Sequence, residues 1–524
     1  TIDPYLFRGC TALETVNLTK SIKTIDIYAF ENTLSLKNID LSITQTATIG
    51  EGAFQNCPQL ESVTFPETLK TIGYKSFKDD VGITEVNFNE GLEIINKGAF
   101  FNLPLITNIV IPDSVTYIGS DFYNSTSSAR YTEQAFGLCT ALTTFTFGAG
   151  VETIDPYLFR GCTALETVNL TKSIKTIDIY AFANTLSLKY IDLSITQTAT
   201  IGEGAFQNCP QITRVVCPPT LNTIGYKAFK DCTSLTSIEF NDNLRTIDKG
   251  AFFNCKNLVG VNIPDKVTLY SDWYNSTGSS RYTEPTFGDC TSLLYATFGS
   301  KILGIPAYIF RGSTNLETVI IPDNYITSID AAAFTGLPNL TIYGETGGFA
   351  NGYADAYSIP FLSLDQAPDY SPIPVVTKQP LSLKANLDGN ATLTVFATGE
   401  SLSYQWYKNG VAIDGATKST YKAVTSTLNV TPYYCKVTNT APNARPTSVA
   451  TYTVTVSVEL DTEIPRGDVN NDTYYTLDDI IYLRRYLANW DEYKTIDYSS
   501  ADLGRDDTIN ISDLIALRHF ILNG

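Results

Sequence analysis

Methionine is absent from the 524 residues, and histidine occurs once, as His519. A single imidazole excludes a multi-histidine zinc site, and its place in the tail leaves no histidine-based triad elsewhere. Basic charge is also short. There are 36 Lys+Arg against 54 Asp+Glu, a net charge of −18. Nucleic acid and anionic membranes require a basic footprint, so neither is expected as a partner. No apolar run reaches the ~18 residues that a membrane-spanning helix needs. No charged-then-apolar leader opens the chain, and Thr1 falls inside a repeat, so a truncated or processed piece of a longer protein is expected. What is present is core-forming material: 43% of residues are hydrophobic and 12% aromatic. The length points to roughly three domains.

Residues 1–22 return without change as residues 153–174, an offset of 152 residues. Inside this duplication lies a shorter period of mostly 23 or 24 residues. It is marked by Ile2, Ile25, Ile49, Ile72, Ile95, Ile118, Ile154, Ile177, Ile201, Ile224, Ile247, Ile305 and Ile329, with a degenerate unit near Leu269. One unit reads Ile25-x-x-x-Ala29-Phe30, then Leu36-x-x-Ile39-x-Leu41. Such a unit cannot close a core alone. Stacked units bury continuous Ile, Phe and Leu ladders, which predicts a solenoid of about fourteen turns, roughly 65 Å long at the spacing of neighbouring strands.

This pattern resembles the BspA-like, Treponema-type leucine-rich repeats of secreted bacterial proteins, over residues 1–366. The segment from Leu340 to Leu362 resembles the tail that closes such arrays. The fold class expected is therefore a multidomain chain that begins with a β-strand-rich leucine-rich-repeat solenoid.

Eight cysteines (Cys10, Cys57, Cys139, Cys162, Cys209, Cys232, Cys255 and Cys290) stand three residues after the repeat Phe. They form no C-x-x-C pair, and a 23-residue spacing strings ligands along a row, so small buried thiols are expected rather than a metal site. Free thiols in an exported protein point to a reducing habitat. The outward strand positions, such as Thr15, Asn17, Glu85, Asn87, Asp192, Arg214 and Glu239, are polar. They read first as a solvated sheet face, with a binding face as the alternative.

The unit at Ile118 exceeds the usual 23 or 24 residues. Its extra segment contains Phe122, Tyr123, Arg130 and Tyr131, and returns with Trp273, Tyr274, Arg281 and Tyr282. Insertions in repeat arrays map to loops on one face, and Tyr, Trp and Arg are the chemistry of interface hot spots. Contact with a ligand and pinning of the loop to the rod are both open readings.

Residues 367–374 hold three prolines and read as a stiff linker. Short alternating strands follow over 375–458. Tyr404-Gln-Trp406, with Tyr433-x-Cys435, resembles a bacterial immunoglobulin-like β-sandwich, with no cysteine at the usual place before Trp406. Cys435 is then an unpaired core thiol, and the domain a spacer.

After a second linker, 459–466, the tail carries a sharper motif. Asp468, Asn470, Asp472, Thr476 and Asp479 place oxygens at positions 1, 3, 5, 9 and 12 of a twelve-residue loop, and the Tyr474 carbonyl adds another. This is the donor spacing that wraps one calcium ion. An amphipathic pattern follows. The arrangement recurs with Asp502, Asp506, the Thr508 carbonyl, Asn510 and Asp513. Two Ca2+ ions are expected. A loop followed by a helix, twice within residues 467–524, resembles a type I dockerin, here a small α domain with two calcium loops. The resemblance implies docking to a cohesin module of a scaffold protein, as in a cellulosome. It also implies a cohesin face of Leu477, Asp478, Arg484 and Arg485, with Ile511, Ser512, Arg518 and His519. Gly504, at position 3 of the second loop, offers no side-chain oxygen.

The resulting expectation is a secreted, non-catalytic binding protein: the dockerin attaches it to a scaffold while the solenoid binds a protein or glycan surface. A cell-surface adhesin and a polysaccharide-active cellulosomal component are the alternatives. Glycoside hydrolysis needs two carboxylates held together in a cleft, and the acids of the solenoid are scattered by its repeat.

Overall fold

The computed structural model describes residues 1–119, 134–271 and 284–459, except for residues 190, 323–324, 371–372, 379, 388, 390, 400, 441–443 and 452. In the tail it describes residues 469, 480, 483–484, 486–487, 501, 509 and 511–523. Two compact units divide the chain, Thr1–Ala367 and Pro368–Gly524.

In the first unit most turns contribute two very short strands among the described residues. Pairs such as Thr24–Ile25, Thr48–Ile49 and Thr71–Ile72 align in parallel register, Thr beside Thr and Ile beside Ile. The β-branched Thr suits the outward side of a pleated sheet and the Ile fills the inside, so a two-residue strand suffices once it repeats. The sheet runs from Thr24 to Ile118, resumes from Thr153 to Leu269, and ends with Gly304–Ile305 and Ser328–Ile329. Both interruptions fall at the two units that carry insertions. The degenerate unit keeps its place, since Leu269 pairs with Ile247. A second set of parallel strands, among them Asn38–Asp40, Ser62–Thr64 and Glu85–Asn87, forms another side of the coil, with the middle residue inward and its neighbours outward.

The core between these walls is a column of phenylalanines. Phe7, Phe30, Phe54, Phe77, Phe100 and Phe136 stack with centroids 5.1–5.5 Å apart. A second column runs from Phe159 through Phe182, Phe206, Phe229, Phe252, Phe287 and Phe310 to Phe334. Phe145 joins the columns edge-on, 5.1 Å from Phe136 and 4.8 Å from Phe159. At the far end, Thr341–Gly344, the helix Phe349–Tyr357 and Phe361–Ser363 close the coil. Ala350, Tyr353 and Ala354 of that helix are buried, and Tyr353 meets Phe334 edge-on.

Two positions of the turn take left-handed backbone, one seven residues after the marker Ile, as at Asn32, Asn56 and Asn208, and one closer to it. The third residue after the marker Ile takes a left-handed conformation, at φ +56° in Gly52 and +55° in Gly204. Tyrosine fills the same place at Tyr5, Tyr28, Tyr157, Tyr180 and Tyr308, with φ between 51° and 61°. Stacking compensates part of the strain of positive φ: Tyr5 lies on Tyr28 and Tyr157 on Tyr180.

The second unit is rich in antiparallel strands. Leu402–Lys408 pairs with Val430–Asn439, placing Trp406 opposite Cys435. Val454–Glu459 adds to the same sheet, and Ala391–Thr394 pairs with Thr420–Ala423. Trp406 is fully buried and its indole N–H donates to the Lys418 carbonyl at 2.9 Å. Cys435 is a free, buried thiol. The tail contributes the helix Ile511–Asn523. Val469, Leu483, Ala501, Ala516 and Leu517 of the tail belong to one buried cluster with the core residues of 385–458.

Candidate binding surfaces

The cysteine row is structural. Each thiol from Cys57 onward in the row meets the carbonyl oxygen of the Phe in the turn before it. The distances are 3.3 Å for Cys57–Phe30, 3.4 Å for Cys139–Phe100 and 3.1 Å for Cys162–Phe136. Cys209, Cys232, Cys255 and Cys290 repeat the contact at 3.1–3.3 Å. The S–H thus adds a hydrogen bond to a buried main-chain acceptor, which at Phe30, Phe182, Phe229 and Phe252 also takes the N–H of the residue three positions on. Burial pushes the thiols of Cys57, Cys162, Cys209, Cys232, Cys255 and Cys290 up, those of Cys209 and Cys290 to about 12. They are poor nucleophiles and poor metal ligands. Against the expectation of a buried thiol, Cys10, in the first turn of the sequence, is exposed. Thr33 and Thr185 also stand in this row and hydrogen-bond to Cys57 and Cys209.

The strand side carries the polar surface. A groove of about 610 Å³ opens there, lined by Glu85, Asn87, Glu90, Asn108, Asp113 and Thr146 among others. It lies where the sheet ending at Glu85–Asn87 gives way to the sheet beginning at Asn108–Val110. Val110 contributes an apolar patch that is 54% exposed. Further along the same side, Arg214 pairs with Glu239 at 2.6 Å.

The eight insertion residues Phe122, Tyr123, Arg130, Tyr131, Trp273, Tyr274, Arg281 and Tyr282 lie outside the described residues. The root of the second insertion is described. Glu284, only 9% exposed, accepts from Lys227 and Lys230, each at 2.7 Å. Burial opposes its charge, yet the two ammonium groups hold the carboxyl below the usual range. Glu284 is therefore clamped to a turn well before its own.

In the tail, Asp513 is the one expected calcium ligand among the described residues. Asp468, Asn470, Asp472, Tyr474, Thr476, Asp479, Asp502, Asp506, Thr508 and Asn510 lie outside them. Asp513 is 1% exposed in the first turn of the helix Ile511–Asn523. A buried carboxylate at a loop's twelfth position fits a hard divalent cation. On the expected cohesin face, Ile511, Arg484 and Arg518 are exposed and Ser512 is half-buried. His519 lies within the helix. Leu477, Asp478 and Arg485 are outside the described residues.

Residues 1–130, 131–259 and 199–341 match the family described as the BspA type leucine rich repeat region, in six copies. The chain belongs to this family. Among solved structures, it is similar to a leucine-rich repeat protein from Bacteroides ovatus, with 24% identity, 58% of this chain and 83% of that chain covered, and a TM-score of 0.35. A leucine rich cell surface protein from Faecalibacterium prausnitzii gives 19% identity over 57% of this chain and 83% of that one, with a TM-score of 0.30. The pneumococcal vaccine antigen PcpA gives 17%, 65%, 78% and 0.37 in the same order. No curated protein matches the chain.

Proposed function

We propose that this BspA-type repeat protein is an exported, non-catalytic adaptor. Its tail docks, with two calcium ions, onto a cohesin module of a scaffold protein in a cellulosome-like assembly. The strand-rich segment 375–458, read as an immunoglobulin-like sandwich, spaces the tail from the solenoid, and the solenoid binds a protein or glycan surface. The observation that carries the docking reading is the doubled loop-then-helix pattern. Its second loop ends on Asp513, a carboxylate buried at the start of a helix. Burying an ionised carboxylate costs several kcal/mol unless a cation or hydrogen bonds compensate it, and a calcium loop provides both.

Calcium titration of the full chain by calorimetry tests this directly. Uptake of two ions is expected, together with ordering of residues 467–524, because ligand binding and folding are linked. Capture on an immobilised cohesin panel is expected with calcium and not with chelator. No metal uptake at millimolar calcium removes the plug. Uptake without capture by any cohesin of the source organism leaves the cell-surface adhesin. For the solenoid, Phe122→Ala with Trp273→Ala is expected to abolish binding to its target surface, and unchanged binding rejects the insertions as contacts.

A further inference from the structure

The row of residues three positions after the core Phe performs two hydrogen-bonding tasks, and Ser313 shows both. Its hydroxyl donates to the Phe287 carbonyl at 2.8 Å and accepts the N–H of Cys290 at 2.9 Å. Asp80 occupies the same row one turn after Cys57. Its Oδ1 accepts the Cys57 N–H at 2.7 Å. Its Oδ2 is buried and has no hydrogen-bond partner among the described residues. The thiols of the row and the Ser313 hydroxyl all donate to the preceding Phe carbonyl, and an ionised carboxylate has no proton to donate.

Among the described residues, no cation answers Asp80. The nearby Lys78 is turned to Asp79, with Nζ 3.8 Å from its carboxylate, and Asn102 of the next turn also donates to Asp79. The other groups that bear on Asp80 are the Cys57 thiol in the turn before and Asp79 in its own turn. The following turn presents Leu103, which is apolar and buried. In the second copy of the duplication this place is held by Cys232, an ordinary member of the row.

We infer that Asp80 carries a proton in the folded solenoid, and that the first copy has at this turn a pH-sensitive weak point that the second copy lacks. Burial drives the carboxyl well above its ordinary range. The N–H from Cys57 opposes that rise, and the charge of Asp79 adds to it. The sign follows from linkage. The folded state holds a proton that the unfolded chain releases at a pH of about 4. The turn is therefore best held below that pH, and it weakens as pH rises through the folded value. The chain leads from Asp80 directly into the strand Glu85–Asn87, one wall of the groove, so loosening here reaches the candidate binding side.

Hydrogen exchange on the full chain reads this out by comparing peptides that cover residues 54–84 with those that cover 206–236. Taking their ratio cancels the intrinsic pH dependence of exchange. Between pH 5 and 8, protection in the first-copy segment is expected to fall relative to the second, by about tenfold for each pH unit over which the folded state keeps a proton that the unfolded chain has lost. Asp80→Asn keeps the acceptor and supplies a permanent donor, and is expected to flatten the ratio. Asp80→Cys, which restores the second copy's residue, is expected to do the same, and Cys232→Asp to transplant the sensitivity. A wild-type ratio that stays constant with pH overturns the inference, as does a pH-dependent ratio that Asp80→Asn leaves unaltered.

Discussion

The two copies of the solenoid duplication begin with identical turns and then diverge by position. The outward Thr24, Thr48 and Thr71 return as Thr176, Thr200 and Thr223. The other strand side changes: Ser62 becomes Arg214, Glu85 becomes Ser237, Asn87 becomes Glu239 and Asn108 becomes Gly260. The stacked Phe column is preserved, while the interior row changes in places, as in Leu103 against Cys255 and Asp80 against Cys232. The fold therefore fixes the Thr-Ile sheet and the Phe stack, and leaves one polar side free to differ. Two copies with different polar sides present one long, non-repeating surface rather than two equivalent sites.

If the stack is the common frame, cutting it should hurt both copies equally. Phe54 lies 5.1 Å from both Phe30 and Phe77, and Phe206 lies 5.0 and 5.1 Å from Phe182 and Phe229. Phe54→Ala and Phe206→Ala are each expected to cost about 4 kcal/mol from lost burial and the cavity left behind. Denaturant unfolding with segment-resolved exchange measures both. A difference above about 1 kcal/mol would mean the copies are not mechanically equivalent. A smaller and again equal loss is expected at the left-handed glycines. A Cβ on Gly52 would lie 2.3 Å from the Tyr28 ring, and one on Gly204 2.3 Å from the Tyr180 ring. Gly52→Ala and Gly204→Ala should each cost about 2 kcal/mol, from backbone strain plus displacement of the ring. Unequal losses would show that the two tyrosines are held differently, although Tyr28 donates to Glu51 and Tyr180 to Glu203 in the same way.

These features were not equally readable from residue spacing. The Ile, Phe and Leu ladders were legible because inward residues recur with the strand period and nothing polar interrupts them. The left-handed turn position was not, because tyrosine, a residue that avoids positive φ, stands there in five turns. Only the glycines at Gly52, Gly98, Gly204 and Gly250 hinted at it. The small buried thiols were expected, but their task was hidden: a cysteine's partner is a carbonyl one turn back, and every residue type carries the same carbonyl. The clamp of Glu284 on Lys227 and Lys230 was missed because it spans more than fifty residues and two turns. The calcium-loop reading rests on donor spacing in the sequence, and of the residues it names the described ones include Asp513.

The smallest expected effect separates packing from protonation inside the turn where the copies differ most. Ser76 stands four residues before Asp80, and its hydroxyl is fully buried without a partner among the described residues. The second copy has Ala228 in its place. A buried hydroxyl that gives up water and gains no bond is destabilising, so Ser76→Ala should stabilise the first copy by about 1 kcal/mol, and Ala228→Ser should cost the second copy about the same. Because serine does not titrate in this range, Ser76→Ala should leave the pH dependence of the first copy intact, whereas Asp80→Asn should remove it. Combining the two changes then discriminates between mechanisms. Gains that add within about 0.5 kcal/mol mean two independent faults in one turn. A Ser76→Ala that destabilises, and does so only while Asp80 is present, means that the hydroxyl and the carboxyl share a buried water, and the turn is then a polar pocket rather than a flaw.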